Sequence, residues 1–285
     1  MTAEESLREG NLDECLRLLQ MQVRSDPSKA AHRVFLFQLL AVLGAWDRAL
    51  TQLNVVGDLD AAALPMVQTY REALQCEALR EAVFNGAHAP LIFGEPTSWL
   101  ALLVEALRLD ASGDQAAAAA ARDQALGEAP ATSGTLNGEP FEWIADADTR
   151  LGPTLELVLN GRYYWVPFFR IKRIEIEAPV DLRDRVWMPA ILTWANDGQA
   201  VGLIPTRYAG TLTEKNHALW LAHLTQWIGD EAHARPVGQR MLTTDANDYA
   251  LLDVRTIELA VEAEPPSNRE SNEGSEGGAA APDHG

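Results

Sequence analysis

Glycine recurs at a fixed interval in the first half of the chain. Gly10 and Gly44 are 34 residues apart in matching surroundings, Gly10-Asn11-Leu12-Asp13-Glu14-Cys15 against Gly44-Ala45-Trp46-Asp47-Arg48-Ala49. Leu16 and Leu19 answer to Leu50 and Leu53, and a third copy opens as Gly113-Asp114-Gln115-Ala116-Ala117-Ala118. Glycine permits the tight turn that joins two helices. The small residue five positions on, Cys15, Ala49 or Ala118, lets those helices approach closely. In the first and third copies a proline follows the glycine by 17 residues, as Pro27 and Pro130, and stops the second helix. Gly44 to Gly113 is 69 residues, close to two periods with one insertion. A degenerate unit is therefore expected around 62–95, with Leu64 to Phe84 mostly helical.

A helix-turn-helix period of this length resembles the tetratricopeptide repeat. A plain helical bundle punctuated by Gly and Pro is the alternative, and three spaced coincidences favour the repeat. Such arrays present a concave surface. In this register the first helices of the second and third units begin near Ala30 and Trp99. The groove-facing positions are Ala31, Val34, Gln38 and Ala41, then Leu100, Leu103 and Leu107. That set is apolar and lacks a Lys or Arg clamp, so it suits the greasy face of an amphipathic helix. The same leucines also suit packing against the rest of the chain.

From Thr154 the period changes. Thr154 to Leu159 and Arg162 to Phe168 are β-rich runs joined by Asn160-Gly161, a two-residue hairpin signal. Ile171 to Ile176 reads as another strand, and Trp187 to Ala195 with Gln199 to Ile204 flank Asn196-Asp197-Gly198 as a second hairpin. Asn216 to Ile228 reads as a helix with Trp220, Leu221, Leu224, Trp227 and Ile228 on one face. A late strand is expected over Leu251 to Leu259. The expected fold is α+β: an all-helical tetratricopeptide-like domain over 1–135, then an α+β domain with antiparallel sheet over 140–262. Residues 131–134 with Asn137-Gly138 read as a flexible linker. Residues 263–285, one arginine and five acids with no Val, Ile, Leu or aromatic residue, read as a disordered acidic tail.

Net charge excludes whole classes of partner. With 41 acidic against 23 basic residues the chain carries −18, which disfavours nucleic acid and anionic membrane surfaces. No apolar run approaches the roughly 20 residues that span a bilayer, and Cys15 and Cys76 offer no disulfide framework. The simplest location is cytoplasmic. Chemistry is sparse. Asp146 and Asp148 could pair as carboxylates or begin a metal loop, but the distal ligands of a calcium loop are absent, and salt bridges to nearby arginines suit them better. His217, His223 and His233 lack metal-pair spacing. No nucleophile elbow, phosphate loop or dinucleotide fingerprint occurs, so neither a metal nor a cofactor is expected. On one strand Arg162, Tyr163, Tyr164 and Trp165 alternate sides, so Tyr163 and Trp165 can bury while Arg162 and Tyr164 stay near solvent.

Several clustered motifs go further. Asp146-Ala147-Asp148-Thr149-Arg150-Leu151-Gly152-Pro153 precedes Asn160-Gly161-Arg162-Tyr163-Tyr164-Trp165-Val166-Pro167. Asp181-Leu182-Arg183-Asp184 with Val186-Trp187 and Pro189-Ala190, Pro205-Thr206-Arg207-Tyr208, and Gly238-Gln239-Arg240-Met241 follow. This pattern resembles the ImpE/SciE (TagJ) family, over nearly all of residues 1–262. The resemblance implies an accessory protein of the bacterial type VI secretion system. It also implies a partner, the small subunit of the contractile sheath engaged through an N-terminal helix, and an indirect link to the sheath-recycling ATPase. Two docking surfaces are open on sequence: the groove at Val34, Gln38, Leu100, Leu103 and Leu107, or an arginine-aromatic face at Arg162, Tyr164, Arg183 and Arg207. The competing class is an enzyme with an Arg, Asp and aromatic pocket within 146–210.

Overall fold

The computed structural model describes residues 1–229 and 234–261. The expected helical pairs form around the three glycines. They are α1 (Ala3–Arg8) with α2 (Leu12–Ser25), α3 (Ala30–Val42) with α4 (Trp46–Leu59), and α6 (Ser98–Ser112) with α7 (Gln115–Glu128). Between them one long helix, α5 (Leu64–Phe84), takes the place of the degenerate unit. Gly10, Gly44 and Gly113 all have positive φ, as the turns require. Gly44 is also the seat of a close approach: a Cβ there would lie 2.3 Å from Leu212 Cδ1. Cys15, Ala49 and Ala118 are fully buried between the paired helices.

The sheet half begins inside the helical half. Strand β1 (Leu91–Ile92) follows α5, and β2 (Gly134–Leu136), β3 (Glu139–Phe141) and β4 (Ile144–Asp146) follow α7. Thus 131–138 is no linker. Asn137 and Gly138, both at positive φ, close a β2–β3 hairpin, the same Asn-Gly chemistry that joins β5 (Thr154–Leu159) to β6 (Arg162–Pro167). Then come β7 (Ile171–Ile176), β8 (Trp187–Trp194) and β9 (Gln199–Pro205). The helix expected over 216–228 is only one turn, α8 (His217–Trp220). Ala222 adopts φ 52° and ends it, and β10 (Thr225–Ile228) pairs antiparallel with β11 (Arg235–Gly238). Tertiary pairing has overridden the helical spacing of the apolar residues. Strands β12 (Met241–Thr244), β13 (Asp248–Ala250) and β14 (Thr256–Leu259) complete the chain, and the late strand starts only after a 3-10 turn at Leu251–Asp253. The acidic tail expected at 263–285 lies outside the described residues.

The main sheet runs β1-β6-β5-β9-β8-β7-β14-β2-β3, and only β1 joins it in parallel. A smaller sheet, β13-β12-β4, covers one face, where Leu155, Leu157, Ile174 and Met188 pack with Ile144, Leu242 and Leu251. The helices cover part of the other face. There Tyr163, Trp165, Trp187 and Leu203 share one core with Phe37, Leu53, Tyr70, Leu100 and Leu103. Trp165 and Trp187 are wholly buried in it, and each contributes on the order of 4–6 kcal/mol of apolar transfer before ordering entropy is counted. The helical and sheet halves therefore share an interior.

Candidate functional site

Helix α5 lies across β6 and has two distinct faces. The inner face carries Glu77 and Arg80 into a buried charge network. Glu156, from the middle of β5, receives Arg80 Nε at 2.7 Å and Arg80 Nη2 at 3.0 Å. Tyr163 donates to the same carboxylate at 2.5 Å and accepts from Trp165 Nε1 at 2.8 Å. Arg240 bridges Glu156 to Asp146, while its Nε donates to Pro205 O at 2.8 Å. Asp148 takes a bidentate bond from Arg150, and Glu77 accepts from Trp187 Nε1 at 2.7 Å. Burial opposes ionisation of Glu156, but Arg80 and Arg240 outweigh it and hold the carboxyl down at about 2. At Asp146 burial prevails over Arg240 and pushes the carboxyl up to about 7.

The motifs that carried the family resemblance converge here, which explains their chemistry. Asp146 and Asp148 meet arginines, as expected. Arg207 is not a surface contact. It is buried, and its Nη1 donates to Val42 O and Trp220 O at 2.7 Å each, with Nη2 to Ala41 O at 3.4 Å. A guanidinium on the last carbonyls of α3 satisfies the helix end and is attracted by the negative end of its dipole. Burial lowers the Arg207 guanidinium to about 10, so it stays charged at neutral pH. Arg183 lies 4.7 Å over the Tyr70 ring and pairs with Asp181. Arg162 is exposed, whereas Tyr164 is half-buried against Phe93, so these four residues form no common face.

The expected groove is also filled. Leu100, Leu103 and Leu107 are 0–2% exposed in the shared core, and Gln38 is buried. Val34 is half-buried against the same cluster. The face of α3 that an open array would show to solvent packs against the 3-10 turn Leu182–Arg185. An apolar groove left open would keep Phe37, Tyr70 and Trp187 in water, and this chain's own sheet half covers it instead.

A neighbouring stripe of α5 borders three concavities. One concavity of about 580 Å³ is floored by Ala45, Trp46, Leu50, Leu74 and Ala78. A second, about 260 Å³, shares Trp46 and continues past Glu81, Phe84 and Asn85 beneath the 207–213 loop. A third, about 530 Å³, shares Phe84 and Asn85 and ends at Asp110, Arg122, Arg150 and Arg235. Together they make one trough along the stripe Leu74, Ala78, Glu81 and Asn85, whose spacing of three to four residues keeps it on one side of the helix. Eleven residues of rise give roughly 16 Å, about three helical turns. Sequence reasoning missed Arg80, Glu156, Arg240 and this stripe. A glutamate inside the otherwise apolar run Thr154 to Leu159 was the available signal.

Among the described residues no group of three His, Cys, Asp or Glu side chains is placed to hold a metal ion. His217 Nδ1 lies 3.1 Å from Gly10 O and braces the α1–α2 turn; His233 lies outside the described residues. Cys15 and Cys76 are free and buried, and burial pushes both thiols up to about 11. No described helix is long and apolar enough to cross a membrane.

Paired helices fused to an antiparallel sheet over one interior define an α+β helical-repeat protein. Its fold matches a Vibrio parahaemolyticus protein known from a crystal structure, with TM-score 0.82 over 91% of this chain and 98% of that one at 24% identity. Residues 138–258 match the family described as ImpE protein. The chain is 54% identical over 259 residues to the type VI secretion system accessory component TagJ of Pseudomonas aeruginosa, covering 91% of each. The chain belongs to the ImpE/TagJ family.

Proposed function

We propose that the chain is a non-catalytic adaptor that holds an N-terminal helix of the small contractile-sheath subunit in the trough along α5. As a member of its family it is an accessory component of type VI secretion. The observation that carries the docking reading is the concavity lined by Ala45, Trp46, Leu50, Leu74 and Ala78, where half-buried Trp46 and Leu50 and exposed Ala78 overlie the shared core. A groove about three turns long, with alternating apolar and polar rim, suits helix-in-groove recognition. Through the sheath subunit the adaptor would act indirectly on the recycling ATPase, in the cytoplasm.

The enzyme reading has less support. The two buried carboxylates with displaced ionisation, Asp146 and Glu156, line none of the three concavities. Each is instead held by guanidinium and backbone or hydroxyl donors in the interior. An acid-base catalyst needs an oxygen within reach of substrate. Titration calorimetry with a peptide of the sheath subunit's N-terminal helix tests the adaptor. One-to-one binding with a negative heat-capacity change is expected. A folded protein that binds no such peptide contradicts it.

A further inference from the structure

We propose that a cleft between α2 and α4 holds an acidic segment of the sheath subunit adjoining its docked helix, so that the partner is gripped at two neighbouring places. The proposal rests on the reading of the trough as the helix-docking surface. A fourth concavity, about 270 Å³, opens between the second helices of the first two pairs. Val23 and Arg24 of α2 face Arg48 and Gln52 of α4 across it, and Leu36 and Leu40 of α3 lie buried at its base. Steps of four residues align Leu36 with Leu40, and Arg48 with Gln52, on one side of their helices.

No acidic residue lines this cleft, and its lining residues all lie in the described helices α2, α3 and α4. Arg24 and Arg48 are exposed, and among the described residues neither has a hydrogen bond or an ion pair. Arg33 is met by neutral oxygens only: its Nε donates to Pro27 O at 3.0 Å and its Nη1 to Gln52 Oε1 at 2.9 Å. The nearest acids in sequence are directed elsewhere. Asp26 accepts from Ser28 Oγ at 2.9 Å, and Asp47 lines the concavity on the other side of α4. Residues 20–52 thus set Arg24, Lys29, Arg33 and Arg48 against Asp26 and Asp47, a net of +2 in a chain of −18. Guanidinium groups without a counter-charge favour carboxylates, whose two oxygens match their paired donors. Arg48 also lines the 580 Å³ concavity of Trp46 and Leu50, so α4 is the single ridge between trough and cleft, and a chain leaving the trough across it meets the cleft at once. This chain's own acidic segment, 263–285, matches the charge but has no Val, Ile, Leu or aromatic residue to set against Val23.

The test titrates the full chain with two synthetic peptides: the sheath subunit's N-terminal helix alone, and that helix with its adjoining residues on both sides. The longer peptide should bind about three- to ten-fold more tightly, an advantage that fades as salt is raised, because exposed ion pairs are individually weak and screened. Arg24 lines the cleft and not the trough. Arg24→Glu should therefore remove the advantage and leave the short peptide within about two-fold of its parent affinity, with Arg24→Gln acting the same way to a smaller degree. Equal affinity of the two peptides for the parent overturns the cleft and leaves the trough standing. So does an advantage that survives Arg24→Glu in a folded protein, or an equal loss for both peptides. Failure of both peptides to bind overturns the trough and the cleft with it. Deleting 263–285 decides between the two acidic occupants. Unchanged binding of the longer peptide supports the partner's segment; a gain that Arg24→Glu abolishes assigns the cleft to this chain's own segment and overturns the proposal.

Discussion

One stripe of α5 presents Glu77 and Arg80 to a sheet that answers every charge; the next, starting at buried Leu74, presents Ala78, Glu81 and Asn85 to solvent-filled concavities. The inner face is polar, yet its polar groups are paired, so it reads as structure. The outer stripe leaves Ala78, Glu81 and Asn85 exposed beside packed Trp46 and Leu50, so it reads as recognition. Residue type alone would have reversed the assignment, because arginines, aspartates and aromatics suggest chemistry while alanine and leucine suggest core. Satisfaction of bonding capacity separates them better than polarity does.

The comparison breaks most visibly at Leu103. It is wholly buried, so Leu103→Glu places an unpaired charge in the shared core and should abolish folding, a loss of about 5 kcal/mol or more. A folded Leu103→Glu protein with altered peptide binding would return the groove to α6. Next in size, Glu156→Ala strands Arg80 and Arg240 without their common partner and should lower unfolding free energy by about 3–5 kcal/mol in urea titration. A change below 1 kcal/mol would mean that the network carries no structural weight.

Acid sharpens the same point. Glu156 has an ordinary value of 4.5 and is held at about 2 in the folded chain. Its stabilisation is present above pH 4.5 and is lost as pH falls toward 2, a swing on the order of 3 kcal/mol. Asp146, raised to about 7, is already protonated in the folded chain across that window. Glu156→Gln should therefore flatten the acid limb of a stability-pH curve, and an unchanged limb would assign it to other carboxylates.

Much of this fold was legible. The glycines at 10, 44 and 113 announced three turns because only a positive-φ residue makes them cheaply, and Asn160-Gly161 announced its hairpin for the same reason. Local chemistry sufficed in both cases. The segment 216–228 was not legible, because its partner strand Arg235–Gly238 supplies the hydrogen bonds that displaced a helix. Nor was the site. Which face of an array stays open depends on what the rest of the chain lays over it, and Leu100 and Leu103 are covered by residues some 50 to 100 positions away, among them Leu151, Trp165 and Leu203. Arg207 was visible in its motif, but its role as a clamp on α3 needed the three-dimensional path that brings Val42 beside it.

The smallest perturbation is the most direct test of the account. Ala78 is exposed on the trough floor, so Ala78→Glu should leave thermal unfolding within about 2 °C of the parent, as surface substitutions do. Titrating the sheath-subunit helix into the parent and into Ala78→Glu should give one-to-one binding to the parent and at least about a ten-fold weaker affinity in the variant, roughly 1.4 kcal/mol. Undiminished binding by the folded variant would contradict the claim that this face of α5 is where the partner docks.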